Sequence, residues 1–395
     1  MKVVQIKAVY GCGSTGRIVK ELSETLTKNG IENLILSTSD YLDENHVKVG
    51  RKAENKLHAF FARVFGYDSH YSYFSTRKII KTLKEFKPDI VHLHNLHANY
   101  VNLPKLLKYL SKNDIATVIT LHDCWFFTGK CTHYTSQKCT KWQDGCGNCP
   151  QLKKDIPSWF FDITSKQLNE KREGFLSIPR LAVIGVSDWI TNEARKSFLK
   201  NAKIVKRIYN WIDIDVFYPK EVEKEDKFTI LCIGAGWSEN SSKFKDLISL
   251  ANKLPSDMKI LLAGNVAREA KLPSNVERVG YISSTEELAK LYSKADVYVH
   301  LSKEDTFGKV IAEALACGTP AIVYNSTACP EIIGNGCGYV VEAGDVCSIA
   351  DKLNEIQLRG KQYYSSSCVN FVKENFEKEN LIDENLQLYN ELLNR

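Results

Sequence analysis

Two strand–glycine turn–helix units, one opening each half of the chain, constrain the fold more than any other feature. The first runs from the apolar stretch Val3–Val9 through Gly11-Cys12-Gly13-Ser14-Thr15-Gly16. It continues into a helix with Ile18, Val19, Leu22 and Leu26 on one face, closing at Asn29-Gly30. The second runs from Phe228–Trp237 into a helix near Lys243–Leu254. An apolar strand followed directly by a helix is covered on both faces when the next strand returns parallel, with the helix as the crossover. The alternation continues through Met258–Gly264, Val276–Ile282, Thr285–Ala295 and Asp296–Ser302. It predicts an α/β fold on parallel sheets. A chain of 395 residues exceeds one ordinary core, so two domains are expected.

Asp305 to Pro330 reads DTFGKVIAEALACGTPAIVYNSTACP. A helix is predicted from near Phe307 to Cys317, stopped by Gly318, with Pro320 opening the next strand. A helix N-terminus carries unpaired N–H groups and a positive dipole end, which together attract an anion. Asp305 stands in the turn, and Glu313 follows two helical turns later. Diphosphate on the helix start, with carboxylates nearby to accept sugar hydroxyls, is what a nucleotide-sugar pocket needs. The plainer alternative makes Asp305 a helix cap and leaves Glu313 in solvent.

The string D-T-F-G-x4-E-A-L-A-C-G-T-P resembles the signature of the retaining family 4 glycosyltransferases. That family has the GT-B fold, two Rossmann-like β/α/β domains facing a central cleft. It usually shows E-x7-E; this chain has Asp305 at the first position and keeps Glu313, with Glu304 adjacent to make up the lost methylene. A more specific resemblance lies in HLHN, TLHDCW-x-F-T-G and GC-x2-CPQ. It is shared with members from bacterial surface-polysaccharide pathways (capsule, exopolysaccharide, lipopolysaccharide O-antigen).

The resemblance implies an acceptor domain over residues 1–205 with a Cys-rich insert at 124–150, and a linker at 206–226. A nucleotide-sugar domain at 227–370 and a C-terminal helix at 371–395 returning to the first domain complete the chain. The implied reaction moves a hexosyl group from an NDP-sugar to a saccharide or polyprenyl-linked saccharide, with retention at the anomeric carbon. No catalytic cofactor is needed. By the same resemblance, Lys243 and the region Thr306, Phe307, Gly308 and Lys309 hold the leaving diphosphate. Glu313 accepts ribose hydroxyls, Asp305 and Glu304 accept sugar hydroxyls, and Tyr281 lies near the base. Gly13 and Arg17 line the N-terminal phosphate approach, and His122 lies beside the reacting sugar. The family's diphosphate-binding Arg is missing, with Ala235, Gly236 and Trp237 in its place; Lys245 rivals Lys243 for the lysine role.

Other features admit more than one reading. Gly11–Gly16 also matches G-x-G-x-x-G, and Asp40 stands near the ribose-binding position of an NAD(P) site. An NAD(P)-binding oxidoreductase is therefore one alternative; a GT-B sugar-nucleotide epimerase shares the implied scaffold, and an inactive scaffold protein fits the missing Arg and the Asp305 substitution. His92 and His94 share one strand face, and His122 and Asp123 end the next strand. Polar groups at such ends line a crevice.

Residues 51–112 hold twelve Lys or Arg against four Asp or Glu, with a cluster of aromatics. Helices predicted at Thr76–Phe86 and Leu103–Leu110 suit an anionic membrane surface, the alternative being solvated helix faces. The net charge of +6 does not point to nucleic acid. Cys131, Cys139, Cys146 and Cys149 are spaced C-x7-C-x6-C-x2-C, readable as structural zinc, disulfides or free thiols. The first residues lack a signal-peptide pattern, which predicts a cytoplasmic chain, peripheral to the inner membrane face, and favours metal over disulfides.

Overall fold

The computed structural model describes residues 1–41 and 43–394. The chain divides into two units, one of residues 1–209 joined by the last helix from Ile382, the other Asn210–Leu381.

The first unit contains β1 (Lys2–Ile6), α1 (Gly13–Lys28), β2 (Glu32–Ser37), β3 (His46–Lys48), α2 (Lys52–Phe65) and α3 (Tyr73–Phe86). It continues with β4 (Ile90–Leu93), α4 (Leu103–Lys112), β5 (Ala116–Leu121), α5 (Thr164–Leu176), β6 (Leu181–Gly185), α6 (Asp188–Lys196) and β7 (Ile204–Arg207). Among the described residues the strands form one parallel sheet in the order β3-β2-β1-β4-β5-β6-β7. Val4 pairs with Leu34 on one side and Val91 on the other. Both faces are covered, so strands such as ATVITL are buried at every position.

The apolar stripe read on α1 packs inward: Ile18, Val19, Leu22 and Leu26 are all buried. Each such side chain contributes about 2 kcal/mol on leaving water. The stripe of α4 (Leu103, Leu106, Leu107, Leu110) is buried as well. Asn102 caps that helix by accepting from the Lys105 amide at 3.0 Å, and Pro104 sits in its first turn, where no N–H is needed. The aromatic-rich segment before α3 is itself a helix, α2, which the sequence reading left without a structure.

The second unit contains β8 (Phe228–Trp237), α7 (Ser242–Ala251), β9 (Met258–Val266), β10 (Val276–Gly280), α8 (Thr285–Lys294) and β11 (Val297–His300). There follow α9 (Lys309–Ala316), β12 (Ala321–Tyr324), β13 (Gly338–Val341), α10 (Val346–Arg359), α11 (Lys361–Phe376) and α12 (Lys378–Leu393), the last continuing into the first unit. Its sheet is parallel in the order β10-β9-β8-β11-β12-β13. Strand order therefore reverses between β1 and β4 in the first unit and between β8 and β11 in the second. Crevices that bind ligands in such sheets form at the carboxyl ends beside the reversal.

Candidate active site

In the second unit the reversal brings the end of β8 beside the end of β11. His300 closes β11, is 6% exposed, and donates its Nε2–H to Asp305 Oδ2 at 2.8 Å. The Tyr298 hydroxyl lies 2.9 Å from the other ring nitrogen. Burial alone would push the His300 imidazolium down, but Tyr298 and Asp305 outweigh it and hold its pKa well above the ordinary value. The Asp305 amide donates to Thr327 Oγ1 at 3.0 Å, the Ala328 amide donates to the Asp305 carbonyl at 3.2 Å, and Ser326 Oγ donates to the Lys303 carbonyl at 2.6 Å. The turn is thus held from both sides.

Gly308 caps α9 with φ +78°. A Cβ there would meet only the movable end of Ile311, at 2.7 Å, so it is the left-handed backbone that calls for glycine. The helix begins at Lys309, two residues later than the sequence pattern placed it. Phe307 is buried edge-on against Phe376 at 5.3 Å between ring centres.

Lys243, in the first turn of α7, holds its ammonium 4.9 Å from the Trp237 ring centre. Burial lowers its pKa, and the Asp305 charge opposes that shift. Lys245, the rival lysine, is exposed, and Lys243 is half-buried. Lys303 pairs with Asp246 at 2.9 Å, and the Tyr324 hydroxyl donates to the same carboxylate at 2.9 Å. His300, Lys303 and Asp246 were not singled out from the sequence, where a histidine and scattered charges carry no periodic signal.

Asp305 lies within electrostatic reach of Lys243. Glu313 is 1% exposed on α9 and accepts from the Tyr292 hydroxyl of α8 at 3.2 Å. Thr306 and Lys309 are buried, Glu304 is half-buried, and Tyr281 stands exposed after β10.

In the first unit, polar groups gather where β1, β4 and β5 end. Lys7 donates to Asn95 Oδ1 at 2.6 Å, and Asn95 donates to Asp123 Oδ2 at 2.6 Å. The same oxygen accepts from His97 at 2.8 Å, while the other takes the Trp125 amide at 2.9 Å. Burial pushes the Asp123 carboxyl up, but His97 and the Trp125 amide outweigh it and bring its pKa down to about 2. Burial lowers Lys7 to about 7 despite the pull of Asp123. His94 Nδ1 lies 3.1 Å from His122 Nε2. Desolvation, with His92, His122 and Lys7 nearby, keeps His94 neutral, well below its usual pKa. Gly13 opens α1 and Arg17 lies in its second turn. Asp40, the ribose candidate of the NAD(P) reading, is paired with Lys48.

All four insert cysteines line one cavity with Trp142 and Tyr134. The Cys131 and Cys149 thiols lie close enough to share a proton, which lowers the pKa of Cys149 and raises that of Cys131. No three of the four sulfurs lie within 4.8 Å of one another among the described residues; the trio that does so is His300, Asp305 and Cys329. Two buried lysines hold the insert. Lys130 donates to the carbonyls of Gln151, Leu152 and Lys154, and Lys171 to those of Trp125 and Thr128.

Comparison with known proteins agrees with this architecture. The family model "Glycosyltransferase Family 4" matches residues 15–216, just over half the chain, and "Glycosyl transferases group 1" matches residues 213–366. A protein of Escherichia coli K12, provisionally named a colanic acid biosynthesis glycosyl transferase, WcaC, is 23% identical over 280 residues. The match covers 66% of each chain, so this chain spans just under two thirds of that relative's length. Sucrose-phosphate synthase from Thermosynechococcus elongatus superposes with a TM-score of 0.73 at 16% identity, covering 100% of this chain and 99% of the other. Anabaena HepE in complex with UDP-glucose gives 0.64 at 15% identity and covers both chains completely. At these identities the structures speak for the fold, and the family model speaks for descent: the chain belongs to glycosyltransferase family 4.

Proposed function

We propose that this protein is a retaining glycosyltransferase that moves a hexosyl group from an NDP-sugar to a saccharide or polyprenyl-linked saccharide. We place it in the assembly of a bacterial surface polysaccharide, at the inner face of the plasma membrane. The observation that carries the reading is a half-buried Lys243 within electrostatic reach of Asp305, on the unit whose strand order reverses between β8 and β11. A half-buried ammonium whose charge is disfavoured by desolvation gains most from an incoming diphosphate. Family membership, the UDP-glucose bound by HepE and the colanic acid assignment of WcaC support the donor and pathway classes. They favour none of the epimerase, oxidoreductase and scaffold alternatives.

In this reading Lys243 and the Gly308 and Lys309 amides neutralise the departing diphosphate. Asp305, oriented by His300, accepts sugar hydroxyls. Glu313 accepts ribose hydroxyls, and Tyr281 flanks the base. Gly13, Arg17 and His122 are the candidate substrate contacts that the first unit carries. The bond from the anomeric carbon to the diphosphate oxygen breaks. The acceptor oxygen bonds that carbon on the same face, and its proton passes to the diphosphate oxygen. No separate base is required.

The test is turnover of an NDP-sugar panel with oligosaccharide acceptors, with the product anomer assigned by NMR coupling. Product with the donor's anomeric configuration is expected, and Glu313→Gln is expected to lower turnover about 10²-fold. Chemical denaturation of the variant separates a ligand role from a core role, because Glu313 is so deeply buried. An inverted product, or sugar released or epimerised without an acceptor, would contradict the proposal.

A further inference from the structure

An amphipathic helix normally turns its apolar stripe to the core. Helix α2 does the reverse. Leu57, Phe60, Phe61, Val64 and Phe65 follow the i, i+3, i+4, i+7, i+8 pattern of one helical face. Leu57 is 56% exposed, Phe60 50% and Phe65 44%, while Phe61 and Val64 are half-buried. The face turned inward carries His58 and Ala62. His58 is held there by a 2.5 Å contact between its Nδ1 and Ser72 Oγ, and burial lowers its pKa to about 4.

The stripe does not end with the helix. Trp159, Phe160 and Phe161, in the loop before α5, extend it through ring contacts from Phe60 to Trp159 at 6.3 Å and from Phe65 to Phe161 at 6.5 Å. These three residues are 44%, 70% and 52% exposed. The loop is anchored to α2 by the Trp159 amide, which donates to the Arg63 carbonyl at 2.6 Å. A contiguous aromatic surface of this kind marks a binding face.

The charges on the same segments select the partner. Arg51, Lys52, Lys56, Arg63, Lys153 and Lys154 are exposed. The acids on these segments are three, half the number of those cations, and each is engaged by a backbone amide. Glu54 accepts from the Phe74 amide at 2.7 Å, Asp155 from the Thr132 amide at 2.6 Å, and Asp162 from the Cys149 amide at 2.6 Å. The excess of six cations over three acids leaves the patch net positive, with an aromatic centre. That combination fits the headgroup region of an anionic bilayer, where aromatic rings settle at the interface and cations meet lipid phosphate. Among the described residues no helix is long and apolar enough to cross a membrane, so contact through this patch would be peripheral.

We infer that α2 and the Trp159–Phe161 loop dock this protein onto anionic lipid. The inference moves the membrane surface away from α4, whose leucines are core. It deepens the membrane-side placement proposed above and does not depend on the donor chemistry.

The experiment is co-sedimentation of the full chain with vesicles of phosphatidylcholine, with and without phosphatidylglycerol. The expected result is recovery with the anionic vesicles only, falling as salt is raised. The triple variant Phe60→Ser, Trp159→Ser, Phe160→Ser should bind at least about tenfold more weakly. If it fails to fold, Phe160→Ser alone, at the most exposed of the three rings, should bind about threefold more weakly. Turnover on a water-soluble acceptor should be unchanged in either variant, so an inactive wild type would count against the transferase reading and leave the vesicle result intact. Absence of vesicle binding, equal binding by wild type and triple variant, or equal recovery with neutral vesicles would overturn the inference. So would a dimer, seen by light scattering, that the triple variant dissolves while neither protein binds vesicles.

Discussion

Asp123 shows how one buried carboxylate organises the ends of three strands. It takes hydrogen bonds from Asn95, His97 and the Trp125 amide. Its pKa is about 2 in the folded chain against an ordinary 3.8. A depressed carboxyl stabilises the fold above its unfolded pKa, and that stability is lost as pH falls through the folded value. Denaturant unfolding should therefore show about 2 kcal/mol of stability disappearing between pH 4 and pH 2. Asp123→Asn should lack that component; an identical acid limb in the variant would refute the assignment. Lys7 works in the opposite window. Its pKa falls to about 7, so its contribution grows as pH rises from there toward 10.5. His122 and Asp123 were legible from the sequence because they end an apolar run. Lys7 was not, because one lysine in a strand reads as an edge position until the strand order places it at the reversal. His300 escaped for the same reason: its partner Asp305 was legible, but the bond between them depends on the turn geometry.

At the scale of elements, α1 and α4 were readable because their stripes face the core. The α2 helix was not, because its stripe faces solvent and its inward face offers only His58 and Ala62. The start of α9 was displaced by Gly308, whose left-handed backbone ends the turn before the helix can begin. The cysteine insert was legible as a cluster but not as a geometry. Its four thiols line one cavity, while a tetrahedral site with metal–sulfur bonds of about 2.3 Å needs them closer than they stand. We propose that small side-chain rotations bring them onto a structural zinc. Elemental analysis of protein purified without added metal should find about one zinc per chain; a metal-free, equally stable protein would leave them as free thiols or disulfides.

For the whole molecule, the strand–turn–helix alternation foretold two parallel sheets, because buried parallel strands leave a continuous apolar signature. The strand orders could not be read from it, since pairing is set by which crossovers pack together rather than by any local run. Those orders put Lys243 within electrostatic reach of Asp305, and that arrangement, with family membership, supports the proposal that the chain binds a nucleoside diphosphate sugar. A thermal-shift screen with UDP, GDP, ADP, dTDP and their common sugars, with NAD(P) as control, on wild type and Glu313→Gln, tests it most directly. A ligand at a hundred times its Kd stabilises the native state by about 2.7 kcal/mol. Stabilisation of wild type by one nucleoside diphosphate or its sugar, diminished in Glu313→Gln, is the predicted result. Stabilisation by NAD(P) alone, or by none of these compounds, would contradict the account.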